Sequence, residues 1–305
     1  MNNSSLANSI VFITGPTASG KSSVAVDLAE MIDAEIVSAD AYQVYKGMPV
    51  LTAAPSVEDM ARVRHHMVGF LDVSELWDAS MHYRMATECI RDIQSRGKKV
   101  VVAGGSGLYL KFISHGLSEA PPSDADLRAS FVARSLGDLA EELTRLDPEG
   151  AKATNLENRR YLERNLEIVL LGGKPLSFWK RNWLTPPAGP GWVLDCPVDI
   201  LDERIAARSL WMMEHGAVEE VSCLEHCSPT AAKTLGLGQI RDYLDGATER
   251  DTCLASLALA TRQYAKRQRT WFRRESWLEK LPAGGFSSSY ELASQVKMAL
   301  RSMPP

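Results

Sequence analysis

Apolar and polar positions follow two regimes along this chain. Short unbroken apolar runs occur at Ile10–Ile13, Ile36–Val37, Val100–Ala103 and, with one acid at its end, Trp192–Asp195. Each is too short for a helix and gives way to glycine, polar or acidic residues, the pattern of strands buried on both faces of a parallel sheet. After the first run, Val24, Leu28 and Met31–Ile32 recur at helical spacing. Strands alternating with helices predict an α/β fold. From about residue 117 to 190 the periodicity is helical throughout, and Pro121–Pro122 and Thr185–Gly191 punctuate its ends. The pattern predicts a first part of an α/β core over 1–116, a helical insertion over 117–190, and a return to the core over 191–305 that includes a basic helix.

The first strand runs into Gly15, Pro16, Thr17, Ala18, Ser19, Gly20, Lys21 and Ser22, which fit G-x-x-x-x-G-K-[ST]. Strand, glycine loop and helix form the arrangement that holds phosphates. Backbone N–H groups turn inward, the helix N-terminus adds partial positive charge and Lys21 a full one. The Ser22 hydroxyl suits a phosphate-bound Mg²⁺. A phosphoryl-transfer enzyme of this class also needs an acid at the end of a buried strand. Val100–Ala103 runs instead into Gly104, Gly105 and Ser106. The acid is Asp40, just past Ile36–Val37. Ligands of open α/β sheets sit outside the strands' C-terminal ends, so the loop, Asp40 and Ser106 are expected to share one crevice. Position alone leaves Asp40 open as base, metal ligand or turn residue.

Composition narrows the setting. With 305 residues, 45% of them hydrophobic, and a net charge of −4, the chain has enough apolar material for a core. It shows no global attraction to nucleic acid, so such a site must be a local patch. One candidate is "TRQYAKRQRTWFRRE", where Arg262, Lys266, Arg269 and Arg273 make one helical stripe, with Tyr264, Trp271 and Phe272 interleaved. Arg159, Arg160 and Arg164 in the insertion also suit phosphate contacts. Scattered cysteines (Cys89, Cys196, Cys223, Cys227, Cys253) suggest reduced thiols in a cytoplasm. Cys223 and Cys227 near His215 and His226 permit a zinc reading, but no second pair stands at finger spacing, and the i,i+4 pair fits one helix turn. The polar N-terminus and its short apolar run predict neither leader nor membrane span, hence a soluble cytoplasmic protein.

Four motifs, "GPTASGKSS", "SADAYQVYKGM", "VVAGGSGLYLKFISHGL" and "TRQYAKRQRTWFRRE", occur in the order and spacing of a known family. From about Ile10 to Arg274 the chain resembles the tRNA dimethylallyltransferases. The resemblance implies a P-loop NTPase-like parallel-sheet core with a helical insertion domain that grips tRNA. It implies that dimethylallyl diphosphate gives its prenyl group to N6 of the adenosine just 3′ of the anticodon, with diphosphate leaving and Mg²⁺ as cofactor. The protein would work as a monomer, away from membranes, on the anticodon stem-loop. Asp40 occupies the family's general-base position, Ser106 stands where Thr is usual, and Arg128 matches an Arg near the reaction centre. Contacts to tRNA are implied for Asp40, Ala41, Tyr42, Gln43, Arg160, Tyr161, Arg164, Lys233 and Gly236. They are implied also for Lys266, Arg267, Gln268, Arg269, Trp271 and Arg273. The chain departs from the family at Tyr161, Leu237 and Gly238. Rival readings are a small-molecule P-loop kinase, a prenyltransferase of free adenine nucleotides, and a tRNA-binding paralogue without catalysis.

Overall fold

The computed structural model describes residues 9–179, 181–184, 186–284 and 288–303. The polar first eight residues and Thr185, at the edge of the expected insertion, lie outside them. The chain divides into two compact units, 1–114 with 187–305, and 115–186.

The larger unit is built on six strands: β1 (Ile10–Thr14), β2 (Ala34–Ser38), β3 (His65–His66), β4 (Lys99–Gly104), β5 (Gly191–Asp195) and β6 (Leu278–Pro282). All pairs are parallel, in the order β3-β2-β4-β1-β5-β6. Ile10 stands opposite Val100 and Thr14 opposite Gly104, while Ser38 of β2 meets Ala103. The segments leaving β2, β4 and β1 therefore start side by side.

Every residue of β1 and β2 is buried, as the unbroken apolar runs require. Their alternation separates two cores. Phe12, Val37, Val100 and Val102 pack with Tyr45, Leu110, Leu237 and Leu257. Val11, Ile13, Ile36 and Val101 pack on the other face with Val24 and Leu28 of α1 (Lys21–Ile32). That second face is closed by Leu292 and Val296 of α14 (Ser289–Ser302). The other helices of this unit are α2 (Val57–Arg62), α3 (Ala79–Ser95), α4 (Gly107–His115), α10 (Val198–Glu214), α11 (Ala217–Ser222), α12 (Leu237–Leu244) and α13 (Arg250–Phe272). Cys223 follows the end of α11 and Cys227 lies in the loop beyond, so the pair is not the single helix turn expected from its spacing. The Cys227 sulfur accepts instead from Arg241 Nη2 at 3.4 Å.

The smaller unit, apart from the last residue of α4, holds α5 (Ala125–Val132), α6 (Leu136–Leu146), α7 (Pro148–Lys152), α8 (Arg159–Gly172) and α9 (Leu176–Trp179). Phe131, Leu139, Leu143, Leu162, Leu166 and Leu176 form its own core. Glu167 is fully buried there. Its carboxylate accepts from Arg128 Nε and Nη2, both at 2.9 Å, from Arg164, and from the Asp124 N–H at 2.8 Å. Burial disfavours the charged form, but Arg128 and Arg164 overcome it and hold the carboxyl below its ordinary range.

Candidate active site

The phosphate loop is the hinge between β1 and α1. Gly20 caps α1 with φ 88°, a left-handed conformation that glycine adopts without strain. Two arginines on α10, which also line the crevice, brace the loop. Arg204 Nη1 donates to the Ala18 and Ser19 carbonyls at 3.4 and 3.3 Å, and Arg208 Nη2 donates to Thr17 Oγ1. Their i,i+4 spacing puts both side chains on one face of α10. Lys21 Nζ donates to the Pro16 carbonyl at 3.4 Å, so the ammonium lies over the loop.

The crevice carries an excess of positive charge. Burial pushes the Lys21 ammonium down to about 8, against the pull of Asp40, and Arg208 adds to the depression. Burial also lowers Arg208, with Asp40 again opposing. Two desolvated cations beside one carboxylate form a site that an anion stabilises.

Asp40 is both a turn residue and a crevice residue. Its Oδ1 accepts from the Tyr42 and Gln43 N–H groups at 2.9 and 3.4 Å. Among the described residues its Oδ2 accepts no hydrogen bond. Ser106 Oγ accepts from the Ala41 N–H at 3.0 Å, which ties the segment after β4 to the segment after β2. The Tyr264 phenol also lines the crevice, its ionisation suppressed by burial and then by the Asp40 charge. Beneath them His82 is fully buried and held neutral, its pKa down to about 4 through burial. Trp77 Nε1 donates to its Nδ1 at 3.3 Å, which leaves Nε2–H to donate to the Ser38 carbonyl at 3.0 Å.

Lys21, Ser22, Asp40, Arg208 and Tyr264 line one cavity of about 320 Å³. Leu51, Met212, Leu235 and Leu257 supply an apolar wall. No local pattern announces that wall, because its members come from four distant segments. Among the described residues, Thr234 Oγ1 and Ser19 Oγ are buried without a partner, and Thr234 also lines the cavity.

The remaining expected contacts sort by exposure. Ala41, Tyr42 and Gln43 are partly exposed, and Tyr42 and Gln43 line the crevice. Lys233, Lys266, Arg267, Arg273 and Arg160 are exposed, as is Tyr161 at 63%. Arg269 is partly exposed, and Trp271 packs over Gly107, where a Cβ would lie 2.3 Å from the indole. Arg128 and Arg164 are tied to Glu167 within the helical unit. Gln268 and Gly236 are buried and offer RNA no surface. Gly236 has φ +93°, and a Cβ there would stand 2.7 Å from Leu257 Cδ1, so the position demands glycine on backbone and steric grounds. Leu237 belongs to the core, whereas Gly238 is exposed. The stripe Arg262, Lys266, Arg269 and Arg273 does not line the crevice. With Lys280 it lines a separate groove of about 630 Å³.

Comparison with known proteins gives a consistent answer. A family model described as IPP transferase matches residues 43–275, which leaves the phosphate loop and Asp40 just ahead of the match. A tRNA dimethylallyltransferase from Akkermansia muciniphila is 61% identical over 286 residues, 94% of this chain and 97% of that protein. One from a Caulobacter species is 37% identical over 278 residues, 88% of this chain and 90% of that protein. The crystal structure of tRNA delta(2)-isopentenylpyrophosphate transferase from Staphylococcus epidermidis superposes with TM-score 0.70 at 27% identity, covering 96% of this chain and 98% of that one. A eukaryotic dimethylallyltransferase acting on tRNA shares the fold with TM-score 0.80 at 24% identity, over 95% of this chain and 77% of that one.

Proposed function

This chain belongs to the IPP transferase family and is a prenyltransferase of tRNA; from that premise we propose how its crevice carries the reaction. The donor is dimethylallyl diphosphate and the acceptor is N6 of the adenosine just 3′ of the anticodon. The bond between C1 and the diphosphate oxygen breaks, and diphosphate leaves with the electron pair. The N6–C1 bond forms, and the proton released from N6 passes to Asp40.

Each residue has a physical reason to be where it is. Negative charge grows on the departing diphosphate, and Lys21 and Arg208, which line the cavity, supply the positive charge that receives it. The apolar wall of Leu51, Met212, Leu235 and Leu257 suits a five-carbon chain and keeps water from the allylic carbon. Asp40 holds its turn through Oδ1, which fixes the carboxylate and leaves Oδ2 to accept the proton. The extruded base reaches this crevice by leaving its stack, as in other enzymes that act on bases.

The residues present fit a Mg²⁺ ion. Ser22 is exposed on the same cavity as Lys21 and Asp40, a sparse oxygen set of the kind Mg²⁺ accepts when phosphate oxygens and water complete its shell. Bound there, the ion would add charge stabilisation for the leaving group. No helix among the described residues is long and apolar enough to cross a membrane.

The observation that supports this reading most is the shared cavity of Asp40, Lys21 and Arg208. Mass spectrometry of nucleosides from tRNA incubated with enzyme and dimethylallyl diphosphate tests it. Prenylated adenosine from the anticodon loop, with diphosphate released in equal amount, is the expected result. Prenylation of free AMP in preference to tRNA, or phosphate transfer from ATP without prenylation, would overturn it.

A further inference from the structure

Helix α13 has two working faces. Arg262, Lys266, Arg269 and Arg273 look onto the basic groove, whereas Thr261, Tyr264 and Gln268 look onto the crevice. Gln268 is only 5% exposed although it sits between charged neighbours in the chain. Its Oε1 accepts from the Thr17 N–H at 2.8 Å. Its Nε2 donates to the Gly105 carbonyl at 2.9 Å. One side chain thus joins the first limb of the phosphate loop to the segment that carries Ser106. The fit is close: a Cβ on Gly105 would lie 2.3 Å from Gln268 Nε2. Both amide ends of the glutamine are satisfied, and both partners are backbone groups of loops rather than of the core.

We infer that Gln268 is a positioning residue for the diphosphate cradle, a role beyond RNA contact. The inference rests on the function proposed above. Held by Gln268 at Thr17 and braced by Arg204 and Arg208 from α10, the first limb of the loop is fixed. The charged donor that follows it, Lys21, is then held at the crevice before diphosphate arrives. Preorganised donors of this kind need no rearrangement as charge develops. The glutamine also explains why the motif "VVAGGSGLYLKFISHGL" needs Gly105: any side chain there would displace the clamp.

The test is a cycle of Gln268→Ala, Gly105→Ala and the double variant, assayed for prenyl transfer to tRNA. Each single change should raise the donor KM and the inhibition constant of product diphosphate roughly tenfold, the scale of one lost backbone-directed hydrogen bond. The KM for tRNA should stay within about twofold, the margin expected of a residue that touches no RNA. Alanine at 268 removes the 2.3 Å contact and leaves a Cβ at 105 only the Gly15 carbonyl at 3.1 Å, so the double variant should be close to Gln268→Ala alone. Hydrogen exchange of the loop peptide containing Thr17 should quicken in Gln268→Ala. Unchanged donor KM in a folded variant, an additive cycle, or an equal rise in tRNA KM would overturn the inference. Should Gln268→Ala fail to fold, Gln268→Met, which keeps the volume and removes both hydrogen bonds, replaces it as a single variant with the same rise in donor KM expected. A wild-type enzyme that prenylates no tRNA would instead overturn the function itself.

Discussion

Strand β2 carries Glu35 near its start and leads into Asp40 just past its end, and the two acids live in opposite electrostatic settings. Glu35 is 3% exposed. Arg96 grips it with both Nη groups, His66 Nε2 lies 2.7 Å away and Lys98 Nζ 3.9 Å away. The Arg96 hydrogen bonds lead in holding its carboxyl down to about 2, against burial. At the crevice end no cation sits within ion-pair distance of Asp40 among the described residues. Lys21 and Arg208 are held there in forms that burial disfavours. The same sheet satisfies charge at one end and leaves it unsatisfied at the other. The satisfied end contributes stability; the unsatisfied end contributes affinity for an anion and a free carboxylate oxygen.

Replacing Lys21 by Met should break the symmetry of that contrast most. Donor kcat/KM should fall about 10²–10³-fold, the usual loss for one preorganised charge or donor. The fold should become more stable at pH 7. The Lys21 pKa lies below its unfolded value, so its burial penalty is fully present below about 8 and fades as pH rises toward 10.5. Steady-state kinetics and thermal melts check both halves. Glu35→Gln should do the reverse: about 3 kcal/mol of stability lost by chemical denaturation, with turnover per folded molecule unchanged. The contribution of Glu35 is present above 4.5 and is lost as pH falls toward about 2. A pH profile gives a smaller effect. Donor KM should rise by up to about tenfold per pH unit above a break near 8, as Lys21 loses its proton. In Lys21→Arg that break should vanish.

The helical unit repeats the contrast on a smaller scale. Arg128 and Arg164 are tied to buried Glu167, while Arg160 is exposed. Arg160→Ala should raise tRNA KM by only a few fold and reduce the salt slope of tRNA binding by about 0.7–0.9. Filter binding across a salt series measures it.

How much of this was legible follows from what is local. The loop, Asp40 and Ser106 could be read because each follows a short buried strand, and parallel strands align their C-terminal ends. The arginines of α10 share a helix face by their spacing, but a helix face does not say what it will meet. Gln268 stands among the RNA contacts that the resemblance implies, and only packing shows that it turns inward. Edge strand β6 was missed because Glu279 and Lys280 are exposed and break the apolar run; α14 followed it in a tail that offered no motif. The apolar wall needs four segments to meet, which no window of sequence contains.

The proposed chemistry depends on Oδ2 of Asp40, the carboxylate oxygen that its turn leaves unused. Asp40→Asn keeps Oδ1 as an acceptor for the Tyr42 and Gln43 amides and removes the base, so it separates turn from chemistry. Single-turnover prenyl transfer to tRNA at saturating donor should slow about 10²–10⁴-fold, with tRNA affinity and melting temperature close to wild type. A variant that transfers the prenyl group at the wild-type rate would contradict the account.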